Sequence, residues 1–236
     1  MLYSYLGICR KCENAEKMHT VIRRTVIPDE NETGSASGRI ETMIKLKYGN
    51  TNTFYIDGLL VDTDYAGTLP AFYRELKKNG LTIRDIRYVL ATHYHPDHMG
   101  LVGELMKLGA KLLLIDVQKD AVHFSDPLFE RDRLPYDPIR EEEATVISCE
   151  ESRDFLLHIG IHGEIIHTPS HSADSVSLVL DDGNCFVGDL EPYAYMEAYE
   201  DPAALKRDWA KIRCLCGKRA FFAHMPEREI VGLTNN

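Results

Sequence analysis

Three histidines and one aspartate lie within six consecutive residues of the chain: His93, His95, Asp97 and His98. In an extended segment successive side chains alternate between two faces, so His93 and His95 are expected on the same side. Pro96 turns the chain, and Asp97 and His98 follow where a helix is predicted to begin. Imidazole and carboxylate groups suit Zn²⁺, Fe or Mn better than ions that prefer thiolates. The segment therefore predicts part of a metal site, and the alternative is an exposed turn that happens to be rich in histidine.

The predicted elements on either side of this segment indicate an α/β fold. Residues 86–91 form an apolar run typical of a strand, and residues 99–108 have a helical pattern that ends at Gly109. Residues 111–115 are predicted to be a second buried strand. This order is a βαβ unit, and open α/β sheets bind ligands in the loops beyond the carboxyl ends of their strands. The candidate metal ligands occupy such a loop.

Other segments lead to predictions of their own. A helix is predicted for residues 68–79, after a meander of short strands. Residues 116–143 are irregular, highly charged and contain three prolines, and a connection of this length is either a lid over a site or a plain surface excursion. Three short runs typical of strands follow, at residues 145–147, 155–159 and 164–167.

Residues 1–38 differ from the rest of the chain and are predicted to be an N-terminal extension that is partly flexible. They end in a stretch rich in Asn, Gly and Ser, a composition typical of a connector. The extension contains Cys9 and Cys12 in a Cys-x-x-Cys spacing. Two interpretations of this pair stay open: half of a zinc site, or two incidental reduced thiols, which is the favoured one.

Three more candidate ligands follow predicted strands later in the chain. His171 lies in a polar loop after the run at residues 164–167. Residues 175–180 and 185–187 are predicted to form a hairpin, which returns the chain to Asp189 at the edge of the sheet that carries His171. His224 directly follows the last predicted strand. Each of these residues alone is more typical of a hydrogen-bonded surface or core group, but together they predict the second half of a metal site.

The chain resembles the metallo-β-lactamase fold hydrolases from about residue 39 to residue 224. The resemblance lies in the H-x-H-x-D-H signature at His93 to His98, in the Thr-Pro-x-His loop that ends at His171, in Gly188-Asp189, and in His224. It implies an α/β fold, a four-layer αβ/βα sandwich of two mixed β-sheets flanked by helices, with the site at the seam between the sheets. Residues 39–236 would then form the catalytic domain.

The resemblance also implies two bound divalent metal ions, with Zn²⁺ as the first choice and Fe or Mn as alternatives. Seven residues would hold them: His93, His95 and His171 on one ion, Asp97, His98 and His224 on the second, and Asp189 between the two. Asp62, which follows the predicted strand at residues 59–61, is expected to support the ligand loop from behind, and a turn cap is the alternative. Ser170 and Met225 depart from the family, which usually has glycine at both positions.

Two such ions, roughly 3.5–4 Å apart, would share a water molecule and lower its pKa toward neutrality. The resulting hydroxide would attack a carbonyl or phosphoryl centre while one ion stabilises the oxyanion. Asp97 is expected to orient the nucleophile or to transfer a proton, in addition to binding metal. Tyr193 and Tyr195 could donate a hydrogen bond to the oxyanion, although packing is the favoured role for both.

The expected activity is hydrolysis of a small ester, thioester, lactone or lactam. A phosphodiesterase of the same fold is one alternative. A mononuclear-iron oxidoreductase similar to the persulfide dioxygenases, with iron on His93, His171 and Asp189, is a second, and a metal-binding module without catalysis is a third. Metal content would discriminate among them, because two Zn or Mn ions per chain favour hydrolysis and one Fe favours the oxidoreductase.

The acidic composition bears on partners and location. The formal net charge is −10 and the isoelectric point is about 5.5, which argues against nucleic acid and a membrane surface as partners. No run approaches the roughly 18 apolar residues that span a bilayer, and the first residues lack the features of a signal peptide. We therefore expect a small-molecule substrate and a cytoplasmic location. The sequence does not predict the oligomeric state.

Overall fold

The computed structural model describes residues 43–230 of the chain. The predicted N-terminal extension, with Cys9 and Cys12, lies outside the described residues, so both interpretations of that cysteine pair stay predictions.

Six strands form a first mixed sheet: Met43–Lys47 (β1), Asn52–Ile56 (β2), Leu59–Val61 (β3), Tyr88–Leu90 (β4), Lys111–Ile115 (β5) and Thr145–Ile147 (β6). They lie side by side in sequence order. The first three pair antiparallel, and β3 to β6 pair parallel. The turn between β2 and β3 is Asp57-Gly58, whose φ angles of 43° and 98° are the kind that an Asp-Gly hairpin turn requires.

Five strands form a second mixed sheet: Gly163–His167 (β7), Val176–Leu180 (β8), Asn184–Gly188 (β9), Arg219–Phe222 (β10) and Arg228–Glu229 (β11). Their order across the sheet is β11-β10-β9-β8-β7. β8 and β9 pair antiparallel, so the predicted hairpin is confirmed. β10 lies parallel to β9, which places the carboxyl ends of these two strands at the same edge.

Within residues 43–230, six α-helices and four 3-10 turns connect the strands. The helices are Leu69–Lys78 (α1), Pro96–Met99 (α2), Val102–Lys107 (α3), Asp126–Asp132 (α4), Ser152–His158 (α5) and Pro202–Cys214 (α6). The 3-10 turns are Ile83–Asp85, Asp116–Ala121, Glu141–Glu143 and Tyr193–Ala198. α6 begins at Pro202, a residue favoured at the first position of a helix, and the Asp201 side chain caps it by accepting a 2.9 Å hydrogen bond from the Ala204 amide.

The apolar core between the two sheets holds the centre of the molecule together. Side chains alternate along each strand, so on β2 Phe54 and Ile56 face the second sheet while Tyr55 packs toward the helices. Opposite them lie Phe186 and Phe221, whose rings are stacked with centroids 5.1 Å apart.

Helices cover the outer face of each sheet. Phe72 of α1 and Leu105 of α3 belong to the core on the first sheet. Leu205, Trp209 and Ile212 of α6 belong to the core on the second. The order is therefore helix, sheet, sheet, helix, which is the four-layer αβ/βα sandwich that the resemblance implied.

The strand prediction for residues 155–159 is wrong, because these residues belong to α5 and its C-terminal turn. Ser152, Leu156 and Ile159 are buried at a spacing of four and three residues, whereas Leu157 is 55% exposed. The composition of a short apolar run fits a strand or a helix equally well. Here the spacing of the buried residues is that of a helix.

Two other predicted segments differ in detail. The helix predicted at residues 99–108 is divided at Gly100, where a Cβ atom would lie 2.2 Å from the backbone nitrogen of Ala66. Residues 116–143 are more regular than predicted, since they contain α4 and two of the 3-10 turns. Phe129 of α4 is fully buried and anchors this segment on the first sheet.

Candidate metal centre

The seven candidate ligands and Asp62 follow five strands at one edge of the two sheets. Asp62 follows β3, and the segment from His93 to His98 follows β4. In the second sheet His171 lies in the loop after β7, Asp189 follows β9, and His224 lies two residues beyond β10. The structure thus brings all eight residues together at the seam between the sheets. Two backbone hydrogen bonds close that seam, from Asn52 to Ala223 and from Val176 to Thr92, at 2.7 and 2.8 Å.

Three histidines converge at one end of the site. The Nδ1 atom of His95 lies 2.9 Å from Nε2 of His93 and 3.2 Å from Nε2 of His171. Their ligand atoms all lie within 4.8 Å of one another, as a metal ion requires. His93 and His95 lie in the loop after β4 of the first sheet, and His171 lies in the loop after β7 of the second. The three histidines therefore come together only when both sheets are in place.

Asp97, His98 and His224 form a second group of the same compactness. The Nε2 atom of His224 lies 3.1 Å from Oδ2 of Asp97, and Nε2 of His98 lies 3.9 Å from Oδ1 of Asp97. Asp97 and His98 belong to α2, a short helix that starts at Pro96, one residue before the predicted start. His224 again comes from the second sheet.

Asp189 lies between the two groups. Its Oδ2 atom is 3.4 Å from Nε2 of His98 and 3.8 Å from Nε2 of His171, while its Oδ1 atom is 3.4 Å from Nε2 of His224. One oxygen of this carboxylate, Oδ2, therefore faces a member of each group, and the other, Oδ1, faces the second group. This is the arrangement that a residue shared by two ions would have.

His98 gives a direct test of whether a metal ion fits. Both of its ring nitrogens are buried and make no hydrogen bond with the described residues, and carboxylate oxygens of Asp97 and Asp189 face the Nε2 atom. A buried nitrogen without a partner is costly in a folded protein. A cation placed between this nitrogen and the facing carboxylates would satisfy all three groups, so the donor set fits a metal ion.

Charged groups in the site change the pKa values of their neighbours. Burial lowers the pKa of His98, but the carboxylates of Asp62 and Asp189 outweigh that effect and raise it to about 10. Burial and the neighbouring histidines His98 and His171 hold the pKa of His93 well below its ordinary value. Such opposite shifts in adjacent groups are typical of functional sites.

The two site carboxylates that face these histidines stay ionised. Burial would raise the pKa of Asp97, but the hydrogen bond from His224 and the charge of His98 lower it below its usual range. The same balance, with His98 as the main partner, lowers the pKa of Asp189. Both residues therefore offer negative oxygen atoms at neutral pH.

Asp62 lies behind the ligands and holds them in place. Its Oδ1 and Oδ2 atoms accept hydrogen bonds of 2.6 and 2.9 Å from the amide and hydroxyl of Thr92, the residue before His93. Oδ2 also lies 3.1 Å from Nδ1 of His98, which leaves Nε2 of that ring to face the site. Thr92 in turn fills the space beside Gly188, where a Cβ atom would lie only 2.3 Å from the Thr92 hydroxyl oxygen.

Three residues that no sequence pattern identifies hold the ligand loops from a distance. Asp208 of α6 accepts a 2.8 Å hydrogen bond from the amide of Ser170, next to His171. The Tyr199 hydroxyl donates to the Ser170 carbonyl oxygen. The Thr51 hydroxyl donates a 2.7 Å hydrogen bond to the Asp97 carbonyl oxygen. Asp208 is 2% exposed, and the apolar pattern of α6 gives no signal for a buried aspartate at that position.

Tyr193 and Tyr195 make contacts with residues other than the candidate metal ligands. Tyr193 packs against the outer core of the second sheet. Tyr195 is half-exposed and interacts with Arg228, whose guanidinium carbon lies 5.4 Å from the centre of its ring. Neither tyrosine lines the recess of about 130 Å³ that the described residues form beside Asp189 and His224. This geometry favours the packing role.

Among residues 43–230 no helix is both long and apolar enough to cross a lipid bilayer.

Comparison with known proteins finds relatives that match part of the chain. It is 30% identical over 97 residues to a putative diflavin flavoprotein A 2 of Synechocystis, and 29% identical over 139 residues to a beta-lactamase-like protein 2 homolog of Drosophila melanogaster. These matches cover 39% and 58% of this chain. The chain spans 16% and 44% of those two proteins, less than half of each.

Solved structures agree with the observed fold. The structure of TTHA1623 in a di-iron-bound form superposes with a TM-score of 0.57 and 22% identity, covering 80% of this chain and 94% of that one. The family model of the metallo-beta-lactamase superfamily matches residues 46–212, which include six of the seven candidate ligands, all except His224. On this evidence the chain belongs to the metallo-β-lactamase superfamily.

Proposed function

We propose that this chain is a binuclear metal-dependent hydrolase that cleaves a small ester, thioester, lactone or lactam. The position of Asp189 carries the proposal, because its two oxygens face histidines of both ligand groups. Two groups of three donors with Asp189 between them, seven donors in all, support two ions. Hydrolysis by an activated water needs no serine or cysteine nucleophile. Zn²⁺ is the proposed metal, and iron is the alternative that the di-iron form of TTHA1623 suggests.

When bound, two divalent ions would supply an activated water and a positive centre for the oxyanion. Asp97 is held ionised by His224 and His98, so it can accept a hydrogen bond from the attacking water and carry a proton toward the leaving group. Asp62 fixes the orientation of His98 through the contact at Nδ1. Thr92, held by Asp62, fixes the start of the loop that carries His93 and His95.

The position of His95 favours the two-ion hydrolase over a mononuclear-iron oxidoreductase. An iron site built on His93, His171 and Asp189 alone would leave the His95 nitrogen, 2.9 and 3.2 Å from the two histidine nitrogens, without a role. The seven-donor arrangement uses it. The proposed substrate is a small molecule rather than a nucleic acid, because the net charge of −10 disfavours a polyanion.

Metal content and a substrate screen test the proposal together. The metal content would be measured by mass spectrometry in the protein as purified and again after Zn²⁺ loading. Hydrolysis by the Zn²⁺-loaded protein would be assayed on ester, thioester, lactone, lactam and phosphodiester probes. We expect two ions per chain and turnover of at least one carbonyl probe, lost on chelation and restored by Zn²⁺. One iron per chain with oxygen consumption on a persulfide, or turnover of the phosphodiester alone, would contradict the proposal.

A matched pair of variants connects the activity to the site. Asp189→Ala should lose metal and activity together, because one carboxylate serves both ligand groups. Asp132→Ala removes an exposed carboxylate whose ion-pair partner is the adjacent Arg131, and it should keep both properties. Full metal content and normal turnover in Asp189→Ala would exclude the shared role of Asp189.

A further inference from the structure

A groove of about 380 Å³ opens beside His95, and it shares no lining residue with the recess at Asp189. It is lined by Tyr94, His95, Val117, Asp120, Ala121, Phe124, Ser172, Ala173 and Asp174. His95 is thus a wall of the groove and a member of the candidate metal centre at the same time. A molecule in the groove would reach the metal centre directly.

Phe124 is the most exposed large apolar side chain among the described residues, at 66%. Its ring faces His95, with ring centroids 5.8 Å apart and planes tilted by 41°. Val117, on the same groove, is 40% exposed. Exposed apolar side chains clustered beside a polar site are typical of a surface that binds a ligand.

The exposure of Phe124 does not come from a loosely held loop. Its neighbour Ser125 is buried and donates a 2.7 Å hydrogen bond to the Tyr94 carbonyl oxygen, and Val122 is fully buried. The buried side chain of Gln118 donates to the carbonyl oxygens of Ala91 and Asp174, at 3.0 and 3.2 Å. The groove wall is therefore fastened to the loop that carries the metal ligands.

The charges near the groove disfavour an anionic ligand. The described residues that line the groove and the Asp189 recess include Asp120, Asp174 and Glu191 but no lysine or arginine. The Asp174 carboxylate is already engaged by the Tyr94 amide and the Ser172 hydroxyl, each at 2.7 Å. Among the described lining residues, no lysine or arginine is available to pair with a carboxylate on a ligand.

We propose that this groove binds an uncharged aryl or alkyl arm of the substrate, so that the enzyme prefers neutral, apolar acyl substrates to those that carry a carboxylate on the same arm. The proposal rests on the proposed hydrolytic function, since it names the substrate class of the same site. Phe124 and Val117 provide the apolar surface, and Asp120 contributes to the rejection of anions.

Three esters of p-nitrophenol test the preference on the Zn²⁺-loaded protein: the acetate, the phenylacetate and the 4-carboxyphenylacetate. We expect kcat/KM for the phenylacetate to exceed that for the other two by about tenfold, a typical effect of one apolar group in a fitting pocket. Phe124→Ala should lower the ratio of phenylacetate to acetate by a similar factor, chiefly through KM. Asp120→Lys should raise kcat/KM for the carboxylated ester. The control Leu157→Ala, which removes a 55% exposed side chain on α5, should keep the ratio.

A binding measurement separates this proposal from the proposed function. The neutral amide N-methyl-2-phenylacetamide and its 4-carboxy analogue would be titrated into wild type and Phe124→Ala and followed by NMR. The groove proposal is supported if the neutral amide binds more tightly than its carboxylated analogue and Phe124→Ala weakens that binding about tenfold. If this result is obtained but no ester is hydrolysed, the hydrolase proposal fails and the groove proposal stands. Equal binding of both amides, or binding insensitive to Phe124, overturns the groove proposal. So does a dimer that Phe124→Ala dissociates, because the groove would then be covered by a second copy.

Discussion

The side-chain amide of Asn52 donates a 2.8 Å hydrogen bond to the backbone carbonyl oxygen of Phe222. Asn52 begins β2 of the first sheet and Phe222 ends β10 of the second, so the bond joins the sheets beside His224. The same amide donates to the carbonyl oxygen of Met225 at 3.2 Å, and the backbone N–H of Asn52 donates to Ala223. One buried residue thus holds the backbone on both sides of a candidate metal ligand.

We predict that Asn52→Ala weakens the second ligand group as well as the fold. It leaves buried carbonyl oxygens without donors, at a cost of about 1–3 kcal/mol in the free energy of unfolding, and it frees the backbone around His224. Chemical denaturation and Zn²⁺ titration would measure the two effects. Asn184→Ala is the control, because that side chain bonds only within an exposed turn, to Asp182. Wild-type Zn²⁺ affinity in Asn52→Ala would show that His224 needs no such support.

Asp62 and Asp64 allow a second comparison, since both are 2% exposed and lie two residues apart. Asp62 contacts Thr92 and His98, whereas Asp64 accepts hydrogen bonds from the amides of Thr51 and Tyr65. We predict that Asp62→Asn lowers metal affinity by about 10–100-fold. Asp64→Asn should lower stability with a much smaller effect on metal affinity. Competition with a chromogenic chelator would measure the affinities, and equal losses in both variants would contradict the assignment.

Asp208 is predicted to position His171 through the amide of Ser170. Asp208→Ala removes the acceptor of that 2.8 Å hydrogen bond and should weaken metal binding at the three-histidine group. The Zn²⁺ concentration that gives half-maximal activity should therefore rise. Asp201→Ala is matched to it on the same helix. It removes the N-cap of α6 and should cost about 1 kcal/mol of stability while metal binding stays unchanged. Asp208→Asn keeps one side-chain oxygen and should restore part of the affinity; no recovery would argue against the positioning role.

Glu104 predicts a pH dependence of stability that is separate from the metal centre. Its side chain on α3 is buried with one carboxylate oxygen lacking a hydrogen-bond partner among residues 43–230, and burial raises its pKa to about 7. Because the folded pKa lies above the unfolded value near 4.5, the stabilising effect is complete below that value and is lost as the pH rises through 7. Relative to Glu104→Gln, wild type should lose on the order of 3 kcal/mol between pH 4.5 and 8.

Denaturant unfolding at both pH values would measure the difference for Glu104. Glu143→Gln, which removes an exposed partner of Arg140, is the control and should follow the wild-type pH profile. Parallel pH profiles of wild type and Glu104→Gln would contradict the prediction.

The sequence was most informative where function depends on residues close together in the chain. The segment from His93 to His98 could be identified by local spacing, and the hairpin signals at residues 175–187 correctly predicted that His171 and Asp189 meet at one edge. Asn52 and Asp208 could not be found in this way. Their partners lie 170 and 38 residues away, and a single polar residue in a strand or helix carries no signal for such distant hydrogen bonds.

The error at α5 has a related cause. Phe155, Leu156 and Ile159 are apolar enough for a strand, and only the three-dimensional environment shows that Leu157 faces solvent while Leu156 is buried. Burial is a property of the assembled sheets, so a window of five residues could not decide between the two structures.

Each ligand group contains residues from both sheets, and this limits when the groups can form during folding. His95 and His171 are 76 residues apart in sequence, and Asp97 and His224 are separated further still, so neither ligand group can assemble before the two sheets dock. Closing such long loops is entropically costly and slow. Metal would therefore bind only after the two sheets have docked. A bound ion would contact residues of both sheets and slow their separation. It should therefore lower the unfolding rate more than it raises the folding rate.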